Sequence, residues 1–145
     1  MRYKLELLIH KTRAEVWEAF ASVENIKEWQ PALMRIELIS GTTGQPSAVS
    51  KLMYKENERE FSLSEKVMYR DEPNRFESVF ENDFAVNMLN NIFIEQGRDQ
   101  TLWVAETKYI FKTLLMKVVG PVLKKNYVAR SQRDMERFKE MVERE

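Results

Sequence analysis

The stretch of sequence that decides the fold covers residues 2–31 and reads RYKLELLIHKTRAEVWEAFASVENIKEWQP. Apolar and polar residues alternate over its first eight positions, which predicts a β-strand. Thr12, followed three residues later by Glu15, forms the pattern of a capping box and predicts that a helix begins there. A second short helix is expected over about Val23–Trp29, because the closing proline disfavours helical backbone before it. A strand is thus followed directly by two short helices.

The middle of the chain alternates between short apolar runs and turn residues. We predict six strands from these runs, at about Leu33–Ile39, Ala48–Tyr54, Phe61–Tyr69, Phe76–Phe80, Phe84–Glu95 and Thr101–Phe111. All the connections are short, as in an antiparallel meander. The connection Gly41–Gly44 has two glycines but lacks the lysine of a phosphate-binding loop, so we interpret it as a hairpin turn.

The C-terminal segment, about Thr113–Arg144, is helical in pattern. Its apolar residues recur at steps of three or four, at Val118, Val122, Val128, Met135, Phe138 and Val142. Gly120-Pro121 should kink this helix or separate a short leading turn from it. At about 1.5 Å per residue, the segment is long enough to cross a sheet. The order of elements predicts an α+β fold in which a curved seven-stranded antiparallel sheet wraps a long C-terminal helix.

Composition excludes several classes of function. The chain has 145 residues, which predicts a single domain over residues 1–145, and its 23 basic and 23 acidic residues cancel. A dedicated nucleic-acid partner is not expected at zero net charge. Cysteine is absent and His10 is the only histidine, so no metal site and no cofactor is predicted. We interpret His10 as a strand-end residue. No signal or membrane-spanning segment is recognised, so we expect a cytoplasmic protein. We also expect it to be a monomer or a weak homodimer.

Four segments resemble the START/Bet v 1-like (SRPBCC) superfamily, whose fold is the helix grip. They are Ile9–Trp17, Asn25–Pro31, Glu65–Phe76 and Asp134–Lys139. The groups that the chain resembles most are the polyketide cyclase/dehydrase-like and lipid-transport-like members. This resemblance implies a cavity between the sheet and the C-terminal helix.

Large side chains on the predicted inner faces are the candidates to line that cavity, although they could equally pack as core. From the sheet we expect Tyr54, Phe61, Leu63, Phe76, Phe80, Phe84, Val86, Met88, Trp103 and Tyr109, and from the helix Val119, Leu123 and Tyr127. Trp17 shares a helix face with apolar neighbours and is expected to be structural. Trp29 is expected to contribute less to the cavity than Trp103, because it ends the second short helix.

Three polar residues lie in phase with these apolar positions. Glu65, Asn90 and Thr107 are therefore predicted to face inward, where they could orient a ligand's hydroxyl or carbonyl group. Alternatively, a strand bulge turns them outward, or they pair with a helix residue such as Asn126 or Arg130. None of them is assigned a catalytic role.

The resemblance implies three possible functions. The first is binding or transport of a small hydrophobic ligand, lipid-like or aromatic. The second is an enzyme of the cyclase or aromatase kind that uses the same cavity. The third is a protein-interaction module similar to the activators of the Hsp90 ATPase. Charge is also uneven: residues 112–145 carry nine basic and five acidic groups. This imbalance is explained by a helix packed near an acidic sheet, or by a surface that meets anionic lipid or an acidic partner.

Overall fold

A computed structural model describes all 145 residues. The strands are β1 (Arg2–Ile9), β2 (Leu33–Ser40), β3 (Val49–Glu56), β4 (Arg59–Asp71), β5 (Arg75–Glu81), β6 (Ala85–Glu95) and β7 (Thr101–Phe111). The helices are α1 (Arg13–Ala21), α2 (Ile26–Trp29), α3 (Leu114–Val122) and α4 (Lys124–Glu143), with a 3₁₀ turn at Val23–Asn25 before α2. None of these helices combines the length and the apolar character needed to cross a membrane.

The seven strands form one antiparallel sheet in the order β1-β7-β6-β5-β4-β3-β2. The first two strands of the chain therefore lie at opposite edges of the sheet, and α1 and α2 bridge them. Apart from the pair β1–β7, all neighbouring strands are consecutive in sequence, as the short connections predict. The sheet curves around α4, which confirms the predicted helix-grip architecture.

The first helix begins where the sequence predicts. The side chain of Thr12 accepts a hydrogen bond from the backbone N–H of Glu15, and the Glu15 carboxylate accepts one from the backbone N–H of Thr12. The Thr12 hydroxyl also donates a hydrogen bond of 2.8 Å to this carboxylate, and this bond, followed by the one from the Thr12 N–H, holds the pKa of Glu15 below its ordinary value. The reciprocal cap directs the chain from β1 into α1, and so places Val16 and Trp17 against the sheet.

The core is dominated by aromatic side chains that meet at one end of the sheet. Phe20 lies at the centre of this group, with ring centroids 5.2 Å from Phe93, 5.9 Å from Trp103 and 6.1 Å from Phe138. Most of these pairs are edge-to-face, the geometry that the ring quadrupole favours. Rigid aromatic rings from α1, β6, β7 and α4 thus fix the distance between the sheet and α4.

The C-terminal segment is two helices rather than one, because the chain breaks at Leu123, just after Gly120-Pro121. Of the two outcomes that Gly120-Pro121 left open, a kink or a separate leading turn, the structure shows a separation, and the leading part is a helix of nine residues. The break also changes which residues are buried: Met135, Phe138 and Val142 of α4 pack in the core. Val118 and Val122, by contrast, are 71% and 77% exposed. Counting them as part of the same buried helix face was wrong, since the break at Leu123 gives α3 a different orientation from α4.

Gly120 is required where α3 crosses the end of β7. A methyl group at this position would lie 2.3 Å from Cζ of Phe111, far inside van der Waals contact. We expect Gly120→Ala to lower the free energy of unfolding by about 1–3 kcal/mol, although alanine favours helix more than glycine does. Urea denaturation measures the change. Adding Phe111→Leu should recover part of the loss; equal losses in the single and double variants would contradict this packing.

Candidate ligand-binding site

An unfilled cavity lies between the inner face of the sheet and the helices. Its volume is about 230 Å³, and 17 of the 28 residues that line it are hydrophobic. A single buried water needs only about 10–15 Å³, so this space is more than a packing defect. The long side chains of the aromatic cluster hold the sheet and α4 apart at one end, and the remaining space is left open.

The mouth of the cavity lies beside the β2–β3 connection. Among the lining residues, Ala21, Val23 and Thr43 are exposed to solvent and surround the opening. The neighbouring Gly44 is fixed by its carbonyl group, which accepts a hydrogen bond of 3.1 Å from Nη1 of Arg70. The hairpin turn predicted at this connection therefore forms one rim of the cavity.

A bulge in β4 brings Arg70 to this rim. The pairing of β4 with β5 shifts register between Val67 and Tyr69, so the alternation of faces is reset there. Tyr69, which the alternation predicts to be in phase with Val67, is instead 42% exposed. Because the bulge adds one residue to β4, Arg70 lines the cavity rather than facing solvent.

Six of the predicted positions line the cavity. They are Tyr54, Glu65, Phe76, Phe80, Trp103 and Thr107. They come from four different strands, and the ladder explains their common direction: Glu65 pairs directly with Phe80, and directly opposed residues share one face of a sheet. Two of the three polar candidates, Glu65 and Thr107, are thus inward-facing.

Four residues that were predicted to face the cavity point away from it. Three of them lie on β6, and the fourth lies in the turn just before it. Met88 and Asn90 pair with Lys108 and Glu106, on the outer face of β7. Asn90 donates a hydrogen bond of 3.3 Å to the Glu106 carboxylate. Val86 shares the outer face, and Phe84, in the preceding turn, is 53% exposed. Placing these residues in the cavity was wrong.

The inner face of β6 is instead formed by the alternate residues. Asn91 lies opposite Ala105, is buried, and accepts a hydrogen bond of 2.9 Å from Nε1 of Trp103. Both phases of β6 are apolar in sequence, so alternation alone does not choose between them. The packing of Phe93 determines which phase faces inward, since its ring centroid lies 5.9 Å from that of Trp17 in the aromatic cluster.

The remaining candidates surround the cavity without lining it. Phe61 and Leu63 pack against the small cluster of Leu33, Leu52 and Tyr54, with Phe61 stacked on Tyr54 at 5.2 Å. Tyr109 and Tyr127 pack on each other with ring centroids 4.9 Å apart. Val119 and Leu123 belong to the α3–α4 break beyond them.

Trp29 is the main lining residue that the sequence places wrongly. It is buried, packs 6.1 Å from Trp103 and 5.4 Å from Phe138, and lines the cavity. Its indole N–H has no hydrogen-bond partner in the protein, in contrast to the N–H of Trp103. The nearby Pro31 signals only the end of a helix, and nothing in the local sequence shows that α2 folds back against α4.

A buried carboxylic acid lies on the sheet side of the cavity. Burial raises the pKa of Glu65, and the neighbouring Ser78 hydroxyl opposes part of this effect. Ser78 is itself buried and lines the cavity beside Glu65. Arg130, considered above as a partner for Glu65, pairs instead with Glu56 at 3.0 Å. Glu65 therefore has no basic partner.

A second acidic group faces the cavity from α4. Burial raises the pKa of Asp134 to about 6, although Arg130, Arg137 and Arg133 all act to lower it. Burial and then the charge of Glu65 raise the pKa of Tyr54, whose hydroxyl donates a hydrogen bond of 3.1 Å to Oε1 of Gln30. His10 lies elsewhere, at the surface, with Nδ1 3.3 Å from Nε2 of Gln100.

Solved structures with the same architecture cover nearly the whole chain. A START superfamily protein from Mycobacterium smegmatis superimposes with a TM-score of 0.80 over 99% of this chain and 97% of its own, at 16% identity. The chain has the helix-grip fold of the START/Bet v 1-like superfamily. No family model matches the sequence, and no curated protein matches it.

Two further helix-grip structures are those of enzymes. The Zhui aromatase/cyclase from Streptomyces sp. R1128 gives a TM-score of 0.78 at 11% identity, over 99% of this chain and 94% of its own. Norcoclaurine synthase from Thalictrum flavum, solved with dopamine and hydroxybenzaldehyde, gives 0.73 at 15% identity, over 98% and 86%. At these identities the similarity establishes the fold.

The helix-grip cavity of this chain offers three kinds of contact. Aromatic rings provide flat apolar surfaces, the unpartnered N–H of Trp29 can donate a hydrogen bond, and the Ser78 hydroxyl can donate or accept one. Glu65 and Asp134 can exchange protons with a bound molecule, because burial raises the pKa of both, that of Asp134 to about 6.

Proposed function

We propose that this protein binds a small hydrophobic ligand, lipid-like or aromatic, in the cavity between the sheet and α4. The observation that carries the proposal is an open, mainly apolar space that retains a buried polar group without a partner, the indole N–H of Trp29. An unpaired buried polar group costs about 1–3 kcal/mol, which a core built for stability alone would avoid. A ligand with an apolar body and an oxygen acceptor would satisfy this group.

A neutral apolar fluorophore tests this proposal directly. We expect N-phenyl-1-naphthylamine to bind the folded protein at one site per chain. Ala105→Phe should weaken this binding at least about tenfold, because Ala105 is buried and lines the cavity, so a larger side chain fills the space. Fluorescence titration measures the affinity, and native mass spectrometry of freshly purified protein identifies any ligand that is already bound.

The matched control is Ala129→Phe, which adds the same ring at an exposed position of α4. It should bind the fluorophore as the parent protein does. Circular dichroism in the near ultraviolet checks that both variants keep their packing, since loosely packed states also bind such dyes. Equal binding by the two variants would contradict a site in this cavity.

A cyclase- or aromatase-type enzyme is the second candidate. It is favoured by two half-buried carboxylic acids that line one cavity and whose pKa burial raises, together with Tyr54. The test incubates the ligand recovered from the native protein with fresh protein, and follows its mass and absorbance. Conversion that Glu65→Gln abolishes supports an enzyme, whereas release of the unchanged ligand supports a carrier.

The proposed partner is thus a small molecule rather than a nucleic acid. We also propose a cytoplasmic monomer or weak homodimer, in line with a cysteine-free chain of zero net charge.

A further inference from the structure

The outer face of α3 is an unusually exposed apolar surface. Leu114, Leu115, Val118 and Val122 are 82%, 70%, 71% and 77% exposed, and all four follow one face of a nine-residue helix. Scattered exposed apolar residues are ordinary, but four adjacent ones on one helix form a patch that indicates an interaction site. We call these four residues the α3 patch.

The structure prevents α3 from turning this patch inward. The opposite face of α3 packs against β7, because Gly120 is buried against the ring of Phe111. The Thr113 side chain caps the helix by accepting a hydrogen bond of 3.1 Å from the backbone N–H of Met116. Both ends of α3 are therefore fixed, and the α3 patch faces solvent in the folded state.

The charge around the patch has one sign. From Thr107 to Arg133 the sequence holds seven basic residues and no acidic residue. Lys117 within α3, and Lys124 and Lys125 directly after it, are exposed and form no ion pair. A group of positive charges beside an apolar helix face is complementary to a surface that is both anionic and apolar.

We infer that the α3 patch binds the surface of an anionic lipid bilayer. The helix would lie flat, with its apolar side chains among the acyl chains near the headgroups and its lysines against the phosphates. At nine residues, α3 is too short to span the bilayer. A second copy of the chain fits less well, because a symmetric contact through this face would place like-charged lysines against one another.

This surface is separate from the cavity. No residue of α3 lines the cavity, and the mouth opens beside the β2–β3 connection instead. Membrane binding through α3 thus goes beyond the proposed ligand binding, and either activity can be lost while the other remains. The fluorophore titration described above reports on the cavity alone.

Vesicle flotation tests the inference with the whole chain. We expect binding to vesicles of phosphatidylcholine mixed with phosphatidylglycerol, and little binding to phosphatidylcholine alone. Replacing Lys117, Lys124 and Lys125 together by glutamine should weaken partitioning by about a hundredfold, since each lysine near an anionic surface contributes about a factor of five. Raising the salt from about 0.1 M to about 1 M should weaken binding as well.

The apolar contribution is tested separately with Leu115→Asn combined with Val118→Asn, which should reduce binding at least about tenfold. Two control variants remove equal numbers of exposed groups elsewhere, on or near the opposite sheet edge. They are Lys27→Gln with Lys51→Gln and Lys55→Gln, and Met34→Asn with Ile39→Asn.

The controls should bind vesicles as the parent protein does, and all variants should keep fluorophore binding. The inference is overturned if anionic vesicles do not bind, or if the controls lose as much binding as the α3 variants. It is also overturned if sedimentation shows a dimer that only the α3 variants dissociate, or if a soluble acidic polypeptide such as polyglutamate binds while vesicles do not.

Discussion

Replacing Trp17 with alanine is expected to lower the free energy of unfolding by about 3–5 kcal/mol. The side chain is 3% exposed, and its ring packs edge-on against Phe76 and Phe93. Its N–H also donates a hydrogen bond of 2.6 Å to the Glu72 carboxylate, and Arg70 lies over its ring. The variant removes the ring, leaves a void and loses the hydrogen bond to Glu72.

Equilibrium denaturation in urea measures this loss, and two further variants separate its sources. Trp17→Phe keeps most of the apolar contact but loses the hydrogen bond to Glu72, so we expect a decrease of only about 1–2 kcal/mol. Phe84→Ala removes an aromatic ring that is 53% exposed and should change stability by less than about 0.5 kcal/mol. A decrease below about 1 kcal/mol for Trp17→Ala would show that this tryptophan does not anchor α1.

Stability should fall as the pH rises through the range in which Asp134 ionises. Burial raises the pKa of this carboxyl from 3.8 to about 6 in the folded state. The folded protein therefore binds the proton more tightly than the unfolded chain between about pH 4 and pH 6, and ionisation destabilises the fold. The full shift corresponds to about 3 kcal/mol, and we expect about 2 kcal/mol because part of the group reaches solvent.

Asp134→Asn should remove this contribution. The amide has nearly the same volume and can still accept the hydrogen bond from Arg137. We expect the variant to be about 2 kcal/mol more stable than the parent at about pH 7.5 and equally stable near pH 4. Urea denaturation at a series of pH values provides the comparison.

The control for this experiment is Glu136→Gln, which removes an exposed carboxylate from the same helix. It should leave the pH profile of the parent unchanged. Burial also raises the pKa of Glu65, so Glu65→Gln should remove a further contribution of the same sign. If the stabilities of Asp134→Asn and the parent differed by the same amount at both ends of the pH range, the pKa of Asp134 would not be raised in the folded state.

These two acids connect stability with function. A carboxyl group whose pKa is raised by burial destabilises the empty protein when it ionises. A bound ligand that hydrogen-bonds to Glu65 or Asp134 would offset part of this cost. Ligand binding should therefore stabilise the fold more at neutral pH than in acid, whichever of the two proposed functions holds.

Elements and their order could be predicted from the sequence, because they depend on local physics. Alternation along each strand, the capping box at Thr12 and the Gly120-Pro121 break all act over a few residues. On β7 the apolar and polar faces differ clearly, so the inward direction of Trp103 and Thr107 could also be predicted. The two short helices after β1 and the short connections sufficed for the topology.

The composition of the cavity was decided only by tertiary structure. On β6 both faces are apolar in sequence, so Asn91 rather than Asn90 turns inward because Phe93 packs into the aromatic cluster. The bulge in β4 brings Arg70 to the rim, and no local pattern marks it. Periodicity reports how a residue relates to its neighbours in the chain. It does not report which face a distant helix will cover.

The same distinction separates the two ends of the C-terminal segment. The sequence by itself determined that about Thr113–Arg144 is helical and that Gly120-Pro121 either kinks the helix or separates a short leading turn from it. Only the packing of Gly120 on Phe111 decided that α3 turns its valines to solvent while α4 buries its own apolar face. Helix formation depends on contacts three and four residues apart, whereas the side of a helix that is buried depends on what the rest of the chain places against it.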